Sequence, residues 1–147
     1  QDFQLNFIGS VSESVLNSIN KYNLSNYINN IGYVFHKEAI AYQKKSQILL
    51  LIEINSEDTK CIIPGKLFEY MVSNRPILAI GPKSSDVEKI ITETNTGKYF
   101  NYDDYESLKK TILEHYKAFK EGALQSRGIG LQKFHRKALT ESLSKLL

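Results

Sequence analysis

The chain has 147 residues, enough for one domain with its own hydrophobic core, and we expect a single domain over residues 1–147. Its 19 Lys and Arg against 16 Asp and Glu leave a scattered formal charge of +3, which excludes the basic, aromatic-rich stripe typical of nucleic-acid binding. The single cysteine, Cys61, excludes an internal disulfide, and no Cys or His spacing predicts a zinc site or another metal site. No apolar run approaches the roughly 20 residues of a membrane-spanning helix.

The start of the chain predicts a piece of a longer protein. Residue 1 is Gln rather than Met, a first strand begins almost at once, and no signal peptide precedes it. With one cysteine and no signal peptide, we expect a cytoplasmic setting.

The first predicted strand is Leu5 to Gly9, and a helix follows from Ser12 to about Tyr22. Gly9 stands at the carboxyl end of this strand, where open α/β sheets let a ligand approach the backbone. A plain tight turn is the alternative interpretation, because no Gly-x-Gly-x-x-Gly fingerprint follows.

The second predicted strand lies within Tyr27 to Val34, and a helix begins at His36. Gly32 interrupts this strand at a point that favours close approach of another group. A histidine at a helix start is more often a cap or a surface residue than a catalyst, and we interpret His36 in that way.

The most informative stretch contains two apolar runs, Ile48 to Ile54 and Ile77 to Ile80, with a polar loop and a helix between them. Neither run alternates with polar residues, which is typical of parallel strands covered on both faces. The loop is Asn55 to Cys61, and the helix opens at Pro64. The sequence therefore predicts a strand-helix-strand unit.

The helix start predicts a place for an anion. Pro64 suits a first turn, and we expect the N–H groups of Gly65, Lys66 and Leu67 to point out of the helix. Glu69 follows Lys66 on one polar stripe, so a diphosphate could lie on the amides while Glu69 accepts hydrogen bonds from a ribose diol. The alternative is an ordinary exposed Lys–Glu pair, which spacing alone favours.

The remaining chain predicts one more strand and three helices. Ser85 and Glu88 form a capping box before a helix, and Lys98 to Tyr102 is the fifth strand. Asp103 opens a long helix through a second capping box, and the last helix is Leu131 to Leu147.

The segment IPGKLFEYMVSNRPILAIGPKSSDVEKII, residues 63–91, resembles the donor-binding segment of glycosyltransferases of GT-B architecture, of the glycosyltransferase group 1 type. The likeness extends over nearly the whole chain, and its specific part is Pro64 to Pro76. It implies the C-terminal, nucleotide-sugar-binding domain of a two-domain enzyme. The donor-binding residues that it implies in this segment are Ile63, Pro64, Gly65, Lys66 and Glu69.

The Gly-Tyr-Val-x-His pattern resembles the family segment whose main-chain groups read the nucleotide base. The resemblance implies that Tyr33 and Val34 hold the base through backbone atoms, with His36 close by; Gly9 joins the donor-binding residues because of its place at the carboxyl end of the first strand. It also implies that the turn Gly81 to Ser85 borders the sugar.

The sequence departs from the family pattern at one informative position. Many retaining members carry a second glutamate eight positions before the helix glutamate, and counting back from Glu69 gives Cys61. The donor sugar and the stereochemical course therefore stay open. The family also carries an N-terminal acceptor-binding domain, on which we expect residues 131–147 to pack, with a second copy of this chain as the alternative.

The alternation of strands and helices predicts an α/β fold of Rossmann-like type, a three-layer α/β/α sandwich with a five-stranded parallel sheet. With the family's leading strand absent, we expect the strand order 2-1-3-4-5. The ligand crevice would lie between the first and third strands, flanked by Gly9 and the Pro64 helix.

These observations predict the nucleotide-sugar donor-binding domain of a glycosyltransferase in surface polysaccharide or glycolipid synthesis. The full-length enzyme would be cytoplasmic or peripheral at the inner face of the membrane, and it would need no cofactor and no metal. This piece alone would bind donor without turnover, and no catalytic residue is assigned. The alternatives are half of a sugar-nucleotide epimerase and a non-catalytic interaction module. A receiver-type signalling domain does not fit, because this chain lacks the acidic residues that such a domain needs after its first and third strands.

Overall fold

A computed structural model describes residues 3–146 of the chain. The chain divides into two compact units, with the boundary between Tyr42 and Gln43. Short 3₁₀ turns lie at Ser25–Tyr27, Glu57–Thr59 and Leu131–Phe134. The strands and helices, in chain order, are β1 (Leu5–Ile8), α1 (Glu13–Lys21), β2 (Ile28–Gly32), α2 (His36–Lys45), β3 (Leu49–Ile52), α3 (Lys66–Val72), β4 (Ile77–Gly81), α4 (Asp86–Thr94), β5 (Gly97–Asn101), α5 (Tyr105–Lys120) and α6 (Arg136–Ser144).

The first unit contains a two-stranded parallel sheet of β1 and β2, connected through α1. The strand sequences LNFI and INNIG place asparagines where a doubly covered strand carries apolar residues. Asn6 lies opposite Asn29, and the Asn29 side chain donates a hydrogen bond to Asn6 Oδ1 at 3.1 Å. No residue between positions 3 and 42 is buried.

The second unit contains a three-stranded parallel sheet in which β4 lies between β3 and β5. The strands LLLI and ILAIG are apolar throughout, and the central strand β4 is buried along most of its length, whereas Ile52 of β3 is 53 % exposed. Helices α3 and α4 make the crossovers of this sheet. The predicted strand-helix-strand unit is therefore confirmed.

The core of the second unit forms where side chains of α3 and α4 meet the sheet. Burial of apolar surface contributes about 25 cal/mol per Å², so this cluster is the main stabilising feature of the unit. Its buried members are Leu51, Leu67, Met71, Ile77, Ala79, Val87, Ile90 and Ile91.

The prediction of one five-stranded sheet is wrong in part. The chain is α/β with parallel strands throughout, but the described strands form two separate sheets, β1-β2 and β3-β4-β5. The predicted pairing of the first and third strands is not formed. The physical reason lies in the asparagines of β1 and β2, because an interior strand of a parallel sheet needs apolar residues on both faces.

The prediction of one final helix over residues 131–147 is also wrong. Leu131–Phe134 is a 3₁₀ turn, His135 has extended backbone, and α6 begins only at Arg136. Leu131 and Phe134 pack against the core of the second unit, and the Phe134 ring lies 5.6 Å from that of Phe68. This packing separates the 3₁₀ turn Leu131–Phe134 from α6. The predicted end of the helix, Leu147, lies outside the described residues.

Two capping predictions need correction. Ser85 caps α4 by accepting the Glu88 N–H at 3.1 Å, but the Glu88 carboxylate accepts the N–H of Ser84 instead of that of Ser85. At α5 the N-cap residue is Asp104 rather than Asp103. The Asp104 carboxylate is turned back to the N–H of Asn101, so it caps no helical amide.

Candidate functional site

The segment that leads into α3 makes a tight first turn. The Leu67 N–H donates to the Pro64 carbonyl at 2.9 Å, and the Phe68 N–H donates to the Gly65 carbonyl at 3.2 Å. The expectation that the Leu67 N–H points outward is therefore wrong, because the turn uses it. The N–H groups of Gly65 and Lys66 donate to no acceptor between residues 3 and 146. Two backbone donors are thus available to an anion.

The core fixes one face of α3 and leaves the other face polar. Leu67 and Met71 are buried, whereas Lys66 on the opposite side is exposed. Glu69 is half-buried one turn further along, and its Oε2 accepts a hydrogen bond from Gln43 Nε2 at 2.9 Å. The Gln43 bond orients this carboxylate relative to the helix.

The far end of α3 is also held in place. Ser73 Oγ donates to the Tyr70 carbonyl at 2.6 Å, which closes the last turn. The Arg75 guanidinium donates to the Lys44 carbonyl at 3.0 and 2.6 Å from two of its nitrogens. The helix that carries Lys66 is therefore fixed at its end as well as along its buried face.

The loop before α3 exposes apolar side chains. Ile63, which the sequence assigns to the donor site, is 39 % exposed, and its neighbour Ile62 is 56 % exposed. Cys61, at the position of the family's second glutamate, is also exposed. The segment Pro64 to Glu69 is therefore preceded by exposed apolar side chains.

The four remaining sequence-predicted residues lie in the first unit. Gly9 has a φ of 106°, and its N–H donates to the Gly32 carbonyl at 2.7 Å, which brings the carboxyl ends of β1 and β2 together. Tyr33 follows β2 directly and is 85 % exposed, whereas Val34 is half-buried. His36 is the first residue of α2, as predicted, and it is exposed.

Sequence reasoning missed a carboxylate at the carboxyl end of β3. The Glu53 side chain accepts a hydrogen bond at Oε2 from the Tyr99 hydroxyl at 2.6 Å and from the Ser85 hydroxyl at 3.1 Å. Its Oε1 is buried and has no hydrogen-bond partner within residues 3–146. A Cβ on Gly81 would overlap both the carboxylate and the Tyr99 hydroxyl, so this glycine is required for the close approach.

Tyr99 and Tyr70 hold their hydroxyl protons more tightly than an exposed tyrosine does. Burial and the hydrogen bond to Glu53 raise the pKa of Tyr99 well above its ordinary value. Burial and the neighbouring Glu69 charge raise the pKa of Tyr70. Both hydroxyls therefore stay protonated at neutral pH, and the Tyr99 hydroxyl acts as a donor.

Two shallow depressions run along α1 and α5, and neither is lined by a candidate residue. Among residues 3–146, no group of three His, Cys, Asp or Glu side chains is arranged to hold a metal ion. None of the helices in this part of the chain is both long and apolar enough to cross a membrane.

Comparison with known proteins does not assign the chain to a family. No protein-family model matches it, and no curated protein matches it.

Proposed function

We propose that this chain is the nucleotide-sugar donor-binding domain of a glycosyltransferase that acts in surface polysaccharide or glycolipid synthesis. The observation that carries the proposal is the segment Pro64 to Glu69, where two unengaged backbone amides, a lysine and an oriented carboxylate lie within two helical turns. This segment follows β3 and so lies at the carboxyl edge of the parallel sheet, where α/β proteins bind their ligands.

A diphosphate fits the first half of this segment. The N–H groups of Gly65 and Lys66 would donate to one phosphate, and the exposed Lys66 ammonium would neutralise charge on either phosphate. Helix α3 has only seven residues, so the proposal rests on these individual donors and not on a helix dipole. In the transfer reaction the same groups would stabilise the negative charge that grows on the departing nucleoside diphosphate.

A ribose fits the second half. The Gln43 bond keeps the Glu69 carboxylate oriented on the polar face of α3. A carboxylate is an acceptor for hydroxyl donors, so in this proposal Glu69 would accept from the ribose diol. This assignment needs no divalent metal, since Lys66 supplies the positive charge beside the phosphates.

The assignment of Tyr33, Val34 and His36 to the donor rests on the family resemblance, and that of Gly9 on its place at the carboxyl end of β1. Catalytic groups would come from the acceptor-binding domain that the family carries. We therefore propose that the chain binds donor and that the full-length enzyme turns over. Product analysis on the full-length protein separates transfer of the sugar from its epimerisation.

Glu69→Ala is expected to weaken nucleotide binding by about 10- to 100-fold, because a hydrogen-bond site on a charged group is worth about 1.5–3 kcal/mol. The measurement is calorimetric titration of the 147-residue chain with UDP, GDP and ADP in EDTA. The wild-type chain should bind one of the three with a single saturable site.

The matched control is Glu114→Ala, which removes the same charge from an exposed side chain on α5. It should bind the nucleotide like the wild type. Binding that requires an added divalent metal, or an equal loss in both variants, would contradict the proposed site. The melting temperature of each variant shows whether the loss of the Gln43 bond has unfolded the unit.

A further inference from the structure

We propose that Glu53 is a positioning residue that fixes the turn after β4 against the sugar of the donor; this inference rests on the proposed function. The Glu53 cluster consists of the Glu53 carboxylate, the hydroxyls of Ser85 and Tyr99, and the Pro82 carbonyl. The turn itself is Gly81 to Ser85.

The backbone places Glu53 beside this turn. The Glu53 N–H donates to the Ile80 carbonyl at 2.9 Å, which extends the pairing of β3 and β4 beyond Ile52. The Tyr102 hydroxyl, just after β5, donates to the Glu53 main-chain carbonyl. Neighbours on both sides therefore hold Glu53 at the edge where α3 also begins.

One carboxylate oxygen accepts from two hydroxyls beside the turn. The Tyr99 hydroxyl donates its single proton to Glu53 Oε2 at 2.6 Å, and its oxygen lies 2.9 Å from the Pro82 carbonyl at the start of the turn. The Ser85 hydroxyl lies 3.1 Å from the same Oε2 and 3.0 Å from the Tyr99 oxygen, and Ser85 is the N-cap of α4. The cluster thus connects the turn and the helix start to β3.

The turn held in this way is strained at its tip. Ser84 has a φ of 65°, in the left-handed region that side chains rarely adopt, and its N–H is held by the Glu88 carboxylate at 2.6 Å. Lys83 and Ser84 are exposed, while Pro82 and Ser85 on either side are buried. The arrangement presents a lysine and a hydroxyl in one fixed geometry, and these groups suit the hydroxyls of a sugar.

A purely structural role does not explain the unpaired oxygen. Glu53 Oε1 is buried without a hydrogen-bond partner in the described chain, and a buried acceptor without a donor is costly to folding. An apolar residue at this strand end would remove that cost. The carboxylate instead accepts hydrogen bonds from the Tyr99 and Ser85 hydroxyls and so fixes where they lie.

The test is Tyr99→Phe in the 147-residue chain, with Tyr116→Phe as the control. The phenylalanine ring would keep the packing of Tyr99 on the core while the hydrogen bond to Glu53 is lost. Tyr116 lies on α5, and phenylalanine keeps its ring contact with the Lys120 ammonium, so the loss of its hydroxyl should change nothing. Affinities are measured for UDP, GDP and ADP and for the glucose, galactose and mannose derivatives of the nucleotide that binds.

Tyr99→Phe should weaken binding of the preferred nucleotide sugar at least about fivefold while leaving the free diphosphate within about twofold. A structural role would weaken both ligands equally, and that result, or no change, overturns the proposal. If no nucleotide binds the wild type, the proposed function fails and the role toward the sugar fails with it.

Hydrogen exchange tests the turn independently of any nucleotide. Tyr99→Phe should raise the exchange rates of the Ser84 and Glu88 amides several-fold relative to Tyr116→Phe. Unchanged exchange at both amides would show that the Glu53 cluster does not hold the turn, whatever the binding data give.

Discussion

Gly97→Ala is expected to lower the free energy of unfolding by about 3 kcal/mol, because overpacking against rigid backbone is among the costliest core changes. Gly97 lies opposite Ile77 in the β4–β5 pair, and a Cβ on it would overlap the Ile77 carbonyl. That carbonyl belongs to the central strand of the sheet, and Ile77 itself is fully buried. Neither group can move without breaking the pairing of β4.

Urea unfolding followed by circular dichroism measures this loss. The matched control is Gly65→Ala, because a Cβ there meets nothing within 4 Å and the φ of −55° suits alanine. Its stability should equal or slightly exceed that of the wild type. A Gly97→Ala variant within about 0.5 kcal/mol of the wild type would show that β5 does not pack against β4 as described.

Leu67→Ala is expected to cost about 3 kcal/mol of unfolding free energy, as large-to-small changes at fully buried leucines do. Leu67 is 0 % exposed and connects α3 to the core, whereas Val72 on the same helix is 63 % exposed. Val72→Ala should therefore cost less than about 0.5 kcal/mol. The measurement is again urea unfolding of the two variants beside the wild type.

The Leu67 result bears on the candidate site as well. Leu67 is the neighbour of Lys66, and its burial is what fixes the orientation of the polar face. If Leu67→Ala were no more destabilising than Val72→Ala, Leu67 would not anchor α3 to the core. The described orientation of Glu69 on the polar face of α3 would then be contradicted.

The sequence predicted the second unit well because its signals are local. The apolar runs around β3 and β4 lack alternation, and Pro64 marks a turn into a helix, so the strand-helix-strand unit could be recognised without tertiary information. Asn95 adopts the left-handed conformation and ends α4, as asparagine commonly does at a helix C-terminus. The N-cap at Ser85 was predicted for the same reason.

The division into two sheets was not predicted, although a signal for it is present. The asparagines of β1 and β2 conflict with a strand buried on both faces. The prediction of one sheet rested instead on the regular alternation of five strands with helices. Asn6 and Asn29 bond to each other across the pair, which satisfies them without a covering layer. The break at His135 likewise depends on where Leu131 and Phe134 pack, which no local pattern records.

The Glu53 cluster could not be predicted from the spacing of residues in the sequence. A glutamate inside the apolar run LLLIEI is visible in the sequence, but its partners Ser85 and Tyr99 lie 32 and 46 positions further along. Only the parallel pairing of three strands brings the three side chains to one edge. No fixed spacing encodes that proximity.

The central claim is that the amides of Gly65 and Lys66 bind the diphosphate of a nucleotide sugar. The most direct measurement is a heteronuclear NMR titration of the ¹⁵N-labelled chain with UDP, GDP and ADP in EDTA. For one nucleotide, the Gly65 and Lys66 amide signals should shift most and saturate together, whereas the Leu67 amide, already bonded to Pro64, should shift less. Saturable shifts that leave Gly65 and Lys66 unchanged, or no shift with any nucleotide, would contradict the claim.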